Sequence, residues 1–351
     1  MTSKSYSLTE LGWGPFFLSQ LSIEELDACV PVRVTEVFRE SVLALGENGV
    51  SRAAMNEILH DARVTVGDWI LLSADTQQVV RVMDRKSLMQ RRAAGEEAIA
   101  QSIAANVDTL FITTSCNADF NIARLERYLV LAGQAEVDPV ILLTKADLCD
   151  DPFEYLDRLR EDLPNVLALT LNAKDPDIVT KLETWTGKGQ SVALAGSSGV
   201  GKSTIVNQLT GATQDTQGIR EDDARGRHTT TGRSMHPMTS GGWIIDTPGM
   251  RELQMLDVSE GLEAVFEDIV TLAESCRFKD CAHETEPGCA VRAAIASDDL
   301  DEKRFLRWQK LAREDLINSE SKADRHARTR KRQKLYASGK ARLADKQRGL
   351  K

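Results

Sequence analysis

The sequence predicts a multidomain α/β protein: an N-terminal β-barrel of the OB type, a central P-loop α/β domain and a C-terminal helical zinc-binding domain. Three observations carry that prediction. Short β-rich runs punctuated by turns fill residues 31–83. A glycine loop of the phosphate-binding kind lies between a strand and a helix at residues 191–209. Three cysteines and one histidine crowd into residues 276–289.

Residues 1–30 read as a short helical lead-in, with Leu11, Trp13, Phe16 and Phe17 followed by the run 21–26. Residues 31–95 are the barrel. Val32, Val34 and Val37 open it, and Val42, Leu43 and Leu45 lead to the turn Gly46-Glu47-Asn48-Gly49. Runs 63–66, 69–72 and 78–82 complete about five strands. Barrels of this type often bind RNA. The basic residues Arg85, Lys86, Arg91 and Arg92 favour that use over a packing domain without a ligand.

Residues 96–255 alternate strands and helices, which indicates a mostly parallel sheet. Strands are expected at 107–113, 139–143, 166–171, 191–195 and 243–245, and a helix at 121–134. Residues 256–321 form the zinc-binding helical domain, ending in a helix over 300–317 that carries Phe305, Trp308 and Leu311. Residues 322–351 are a basic tail.

The segment Gly196-Ser197-Ser198-Gly199-Val200-Gly201-Lys202-Ser203 matches GxxxxGK[ST] and opens a helix at Thr204. Its glycines let backbone N–H groups face phosphate oxygens, beside the positive end of the helix. Lys202 is expected to reach the β- and γ-phosphates, and the Ser203 hydroxyl to bind Mg²⁺. Asp246-Thr247-Pro248-Gly249 follows a strand 43 residues after Ser203, so Asp246 is placed to hold the Mg²⁺ shell and the Gly249 N–H to sense the γ-phosphate. Between them, polar residues 213–231 end in Gly226-Arg227-His228-Thr229-Thr230-Thr231. Thr230, with Thr229 as the alternative, is expected to complete the Mg²⁺ shell when triphosphate is bound.

Upstream, Thr144-Lys145-Ala146-Asp147 follows a strand, and a carboxylate at Asp147 can accept both the ring N–H and the exocyclic amine of guanine. Adenine offers no such pair, which argues against a P-loop kinase using ATP. Lys145 can lay its stem over the base. Asn172-Ala173-Lys174 follows another strand, with the Ala173 N–H available to the guanine carbonyl.

The motif order TKAD, NAK, P-loop, threonine loop, DTPG is a circular permutation of the order in Ras-like GTPases. With a leading barrel and a trailing Cys/His cluster, the chain resembles the small-ribosomal-subunit-dependent GTPases of bacteria (RsgA, also called YjeQ or YloQ) over nearly its whole length. The resemblance implies an OB domain, a circularly permuted GTPase domain and a zinc domain. It also implies action on the small subunit late in assembly and hydrolysis stimulated by the ribosome. One departure stands out: Thr144 occupies the place of the usual Asn of NKxD, which predicts weaker nucleotide binding with guanine specificity retained through Asp147.

Where Ras-type enzymes carry a water-orienting glutamine, this chain has Met250, so the catalytic group must come from elsewhere. His228, beside the magnesium threonines, suits water orientation, and the resemblance supports it in that role. The alternative is that His228 is an RNA contact or a plain loop residue. Slow intrinsic hydrolysis accelerated by a partner is expected; a GTP-gated rRNA-binding switch with negligible catalysis is the alternative function.

Cys276, Cys281, His283 and Cys289, spaced C-x4-C-x-H-x5-C, supply a closed tetrahedral zinc site, structural because no position is left open. Cys29, Cys116 and Cys149 read as buried thiols. In the permuted order, residues 250–275 join the γ-phosphate sensor directly to the zinc domain, a covalent path by which nucleotide state would move it.

Hydrophobic residues make up 42% of the chain, enough for packed cores, which excludes a wholly disordered protein. Six cysteines in 351 residues exclude a disulfide scaffold. No apolar run approaches the roughly 18 residues of a bilayer span, and residues 1–10 lack a signal-peptide core. The formal charge of −9 is misleading. Residues 322–351 carry twelve Lys or Arg against two acids, or +10, leaving −19 on the rest. That tail is expected to bind RNA by counterion release, a solvated tail being the alternative. The expected partners are GTP/GDP and the small ribosomal subunit with its rRNA, with no membrane, and the expected state is a cytoplasmic monomer.

Overall fold

The computed structural model describes residues 5–92, 100–211, 233–246 and 258–319. The lead-in forms two short helices, α1 (Pro15–Leu18) and α2 (Ile23–Ala28). In α2 the Ser22 side chain accepts from Glu25 N–H while Glu25 accepts from Ser22 N–H, a reciprocal cap. Buried Arg33 fixes the lead-in by donating to Leu11 O at 2.6 Å, and Trp243 Nε1 donates to Glu10 O at 2.7 Å.

Five antiparallel strands follow: β1 (Cys29–Val37), β2 (Ser41–Gly46), β3 (Gly49–Ala54), β4 (Trp69–Ser73) and β5 (Val79–Val82), with α3 (Glu57–Asp61) between β3 and β4. Their order is β3-β2-β1-β4-β5. They curl around Val32, Val34, Val42, Ile70 and Leu72, and α3 adds Leu59 to that core. Two expectations are corrected here. Residues 49–54 are a strand, whereas 63–66 are not. At 63–66 the chain turns, with Arg63 at φ 48°, and the buried Asp68 carboxylate accepts the Thr65 N–H at 2.7 Å. In the basic stretch after the barrel, Arg85 makes a two-point ion pair with buried Asp68 at 2.7 and 2.8 Å, while at the surface Lys86 pairs with Asp108 and Arg91 donates to Gln101.

A hairpin, β6 (Leu88–Arg92) and β7 (Ala100–Ala105), leads into the parallel sheet. Its strands are β8 (Thr109–Ser115), β9 (Asp138–Thr144), β10 (Leu167–Thr170), β11 (Ser191–Gly196) and β13 (Trp243–Asp246), in the order β10-β9-β8-β11-β13. β8 and β11 are buried along their whole length, as central parallel strands are. Strand β12 (Ser234–Pro237) runs antiparallel to β13 and meets β1 through Glu36 opposite Ser234. One continuous sheet thus passes from the GTPase-like domain into the N-terminal strands.

Helix α4 (Ile122–Gln134) covers one face of this sheet; Asn121 caps it by accepting from Arg124 N–H. A 3₁₀ turn (Ala146–Leu148), α5 (Pro152–Asp162), α6 (Ile178–Lys181), α7 (Glu183–Thr186) and α8 (Lys202–Thr210) complete the layer connections. Beyond residue 258 come α9 (Ser259–Val265), α10 (Glu267–Glu274), α11 (Ala290–Ala296) and α12 (Glu302–Ser319). Helix α9 lies so close to α4 that a Cβ on Gly261 would sit 2.0 Å from Val130 O, so only glycine permits the crossing. The buried cluster formed by Leu110, Ile112 and α4 continues into Phe266, Val291 and Phe305.

Candidate nucleotide and metal sites

The glycine loop leaves the carboxyl end of β11 and opens α8, the position from which a helix end faces an anion. Gly196 has φ 138°, and a Cβ there would meet Thr113 O at 2.1 Å, so the residue has to be glycine. The Lys202 ammonium lies along the loop, donating to Gly196 O at 2.7 Å and to Ser197 O. Ser203 is exposed on the first turn of α8. Val200 is buried, and Ser198 and Gly199 are exposed at the tip of the loop.

The base-reading motifs converge on this loop although they come first in the chain. Ideal Cβ geometry at Gly201 points 3.6 Å from Ala173 Cβ and 3.8 Å from the Thr144 side chain. Buried Thr144 donates its hydroxyl to Val200 O at 2.6 Å, with Thr114 O at 3.0 Å as the weaker alternative acceptor. The threonine therefore braces the P-loop directly, a role its replacement of Asn put in question. Lys145 takes a left-handed backbone, φ 57°, which turns the chain into the exposed Asp147. Asn172 stabilises the second motif by accepting from Lys174 N–H at 2.9 Å, leaving Ala173 against the P-loop.

Asp246 ends β13, one residue beyond the parallel pair Ala193–Ile245, and lies opposite Ser234 of β12. Ser203 and Asp246 offer the hard oxygen donors that suit Mg²⁺. His228, Thr229, Thr230 and Gly249 lie outside the described residues, as does the tail 322–351.

Sequence reasoning missed α4 as a junction. Arg124 on its first turn donates to Ser197 Oγ of the P-loop and pairs with Asp119 at 2.8 Å. Half a turn on, buried Glu126 accepts from Arg307 at 2.7 Å and faces Arg304 at 3.5 Å, both on α12. Arg127 pairs with Glu314 of the same helix. The final helix is therefore docked on the P-loop domain as well as on the cysteine module. A charged residue at a buried helix position is the signal that was available only from structure.

The metal candidates Cys276, Cys281, His283 and Cys289 bring their ligand atoms within 4.8 Å of one another. Cys276 Sγ is 3.9 Å from Cys289 Sγ and 3.6 Å from His283 Nδ1; Cys289 Sγ is 3.4 Å from that nitrogen. A tetrahedral zinc with usual bond lengths has ligand–ligand edges of about 3.6–3.8 Å, so the group fits. Burial alone would raise the Cys276 thiol, but the N–H groups of Val291 and Ala290 bring it below its ordinary value. Burial raises Cys281 to about 11. Cys289 caps α11 by accepting from Arg292 N–H at 3.4 Å. Phe305 and Trp308 of α12 cover the His283 ring, with centroids at 6.4 and 5.9 Å.

Comparison with known proteins agrees with this geometry. The family model described as RsgA GTPase matches residues 82–256. The small ribosomal subunit biogenesis GTPase RsgA 2 of Vibrio parahaemolyticus is 47% identical over 336 residues, spanning 95% of this chain and 93% of its own. The small ribosomal subunit biogenesis GTPase RsgA of Mesorhizobium japonicum is 47% identical, spanning 91% and 93%. Among solved structures, YjeQ from Thermotoga maritima superposes with a TM-score of 0.61 at 23% identity, covering 82% of this chain and 99% of that one. The circularly permuted GTPase YloQ gives 0.58 at 23%, covering 83% and 96%.

Proposed function

Because this chain belongs to the RsgA GTPase family, we infer that it hydrolyses GTP as a late-acting factor in small ribosomal subunit biogenesis, with turnover stimulated by that subunit. The observation that carries this reading is the meeting of the two guanine motifs with the P-loop around Gly201. In the nucleotide complex, Lys202 exchanges its loop carbonyls for β- and γ-phosphate oxygens. Asp147 selects guanine, Lys145 packs on the base, and the Ala173 N–H meets the guanine carbonyl. The P-loop backbone from Gly196 to Ser203, together with Thr204, forms the phosphate cradle. Mg²⁺, when bound, neutralises charge developing on the phosphates, and Ser203, Asp246 and Thr230 are the residues that would hold it. His228 orients the attacking water. Zinc held by the three cysteines and His283 is structural and ties α11 and α12 together. The protein is read as a cytoplasmic monomer whose partners are the small subunit and its rRNA, with the tail 322–351 in contact with RNA.

A GTPase assay with and without purified small subunits tests the reading. Phosphate release from the wild type is expected to rise on adding subunits, and His228→Ala is expected to lose that rise while GDP affinity stays. Equal release with and without subunits would identify instead a GTP-gated RNA-binding switch.

A further inference from the structure

Two guanidinium groups converge on strand β7. Arg63, at the end of the turn after α3, donates to Ala100 O at 3.3 Å. Arg233, the residue that leads into β12, donates to Ser102 O. Those carbonyls are two residues apart, about 6.6–6.8 Å along a strand. Both arginines line a cavity of about 590 Å³ between the barrel and the hairpin, with His60, Gln101 and Ser102. Asp61 also lines it, but it is exposed and lies beside His60 at 4.0 Å.

Neither arginine forms an ion pair among the described residues, while Arg81, Arg85, Arg304 and Arg307 all do. Arg233 is half-buried, and a further cation, Arg91, acts on its charge. A half-buried guanidinium with no paired acid among the described residues carries an uncompensated charge, while Arg63 is exposed at the cavity rim. Arg63 also adopts a left-handed backbone, φ 48°, an uncommon conformation for a side chain of its size. Among the described residues each guanidinium donates to one β7 carbonyl, using one N–H of a five-donor fork. Such forks match phosphate oxygens in two-point contacts.

We propose that Arg63 and Arg233 form a phosphate site for the RNA backbone, in the cavity between the N-terminal barrel and the β6–β7 hairpin. The inference rests on the reading that the small subunit is the partner, and it names where rRNA is gripped. Arg233 lies two residues after the end of the threonine segment 213–231 in sequence. RNA held at Arg233 would be gripped five residues along the chain from His228, which would link RNA contact to stimulated hydrolysis.

The test is binding of the full chain to purified small subunits, with a non-hydrolysable GTP analogue, across a potassium chloride series. In R63Q/R233Q, affinity is expected to fall about tenfold and the log–log salt slope to become less negative by about 1.4–1.8, or 0.7–0.9 per lost phosphate contact. R160Q removes an exposed, ion-paired charge elsewhere and is expected to leave both unchanged. R63K/R233K, which keeps charge without the fork, is expected to keep the slope and lose affinity several-fold. It also covers the case in which the glutamine pair does not fold. An unchanged slope and affinity in R63Q/R233Q, or full affinity in R63K/R233K, overturns the proposal. Stabilisation of wild type by about 10 mM inorganic phosphate that is lost in R63Q/R233Q, with an unchanged subunit slope, overturns it in favour of a small-anion pocket. Failure of the wild type itself to bind subunits instead removes the functional reading beneath it.

Discussion

At the scale of single residues, Thr144 shows how one hydroxyl substitutes for an amide. Its oxygen lies 2.6 Å from Val200 O inside a wholly buried contact. Replacing it with valine keeps the shape and strands that carbonyl, at a cost of about 1–3 kcal/mol. Thr144→Val is therefore expected to weaken GDP and GTP together by about tenfold in a fluorescent-nucleotide titration, while Thr144→Ser stays near wild type. Equal affinities in wild type and Thr144→Val would show that the bond does not position the loop. The sequence made Thr144 visible only as a loss relative to Asn, because the compensating contact is 56 residues away in the chain. Asp147, Ala173 and Lys202 were legible because their chemistry is bound to short motifs with fixed spacing.

At the scale of elements, α4 organises the molecule. Its periodicity was legible, and the predicted span 121–134 matches Ile122–Gln134. Strands β3, β6, β7 and β12 were not, because Gly-Val-Ser-Arg-Ala-Ala and Ala-Gln-Ser-Ile-Ala-Ala lack the β-branched runs that mark a strand. The residues 63–66 have that signal without the strand, since Asp68 and Arg85 hold them in a turn. Helix α4 also carries Glu126, whose carboxyl is pushed up by burial despite Arg307 and Arg304. A carboxyl raised in the folded state favours the fold below its ordinary value of 4.5 and loses that contribution as pH rises through the folded value. Urea midpoints of wild type relative to Glu126→Gln are thus expected to decline as pH rises above about 4.5. Glu126→Ala, which leaves two arginines facing a void, is expected to cost about 3 kcal/mol, well beyond Glu126→Gln. A Glu126→Ala variant as stable as Glu126→Gln would mean α12 is not held through this carboxylate.

At the scale of the whole molecule, the three sequence-level domains are less separate than their composition suggests. The sheet runs without a break from β10 through β12 into β1. The buried cluster likewise runs from Leu110 and Ile112 of β8, across Leu125 and Leu129 of α4, to Phe266, Val291 and Phe305 beside the cysteine–histidine group. A zinc finger tethered by a linker unfolds alone when its metal is removed. Here, loss of a metal from the four ligands would loosen α12 and, through Arg304 and Val265 O, α9, both of which pack on α4, and α4 meets the P-loop through Arg124 and Ser197. Chelation, or Cys289→Ser, is therefore expected to release one zinc per chain and lower the melting temperature read by bound fluorescent GDP, with GDP still bound in the cold. Melting of the nucleotide domain at the same temperature with and without zinc, next to a separate low-temperature transition, would show that the metal stabilises only its own module. The shared core argues for a single coupled transition, because one buried cluster runs from α4 to the helices beside the cysteine–histidine group.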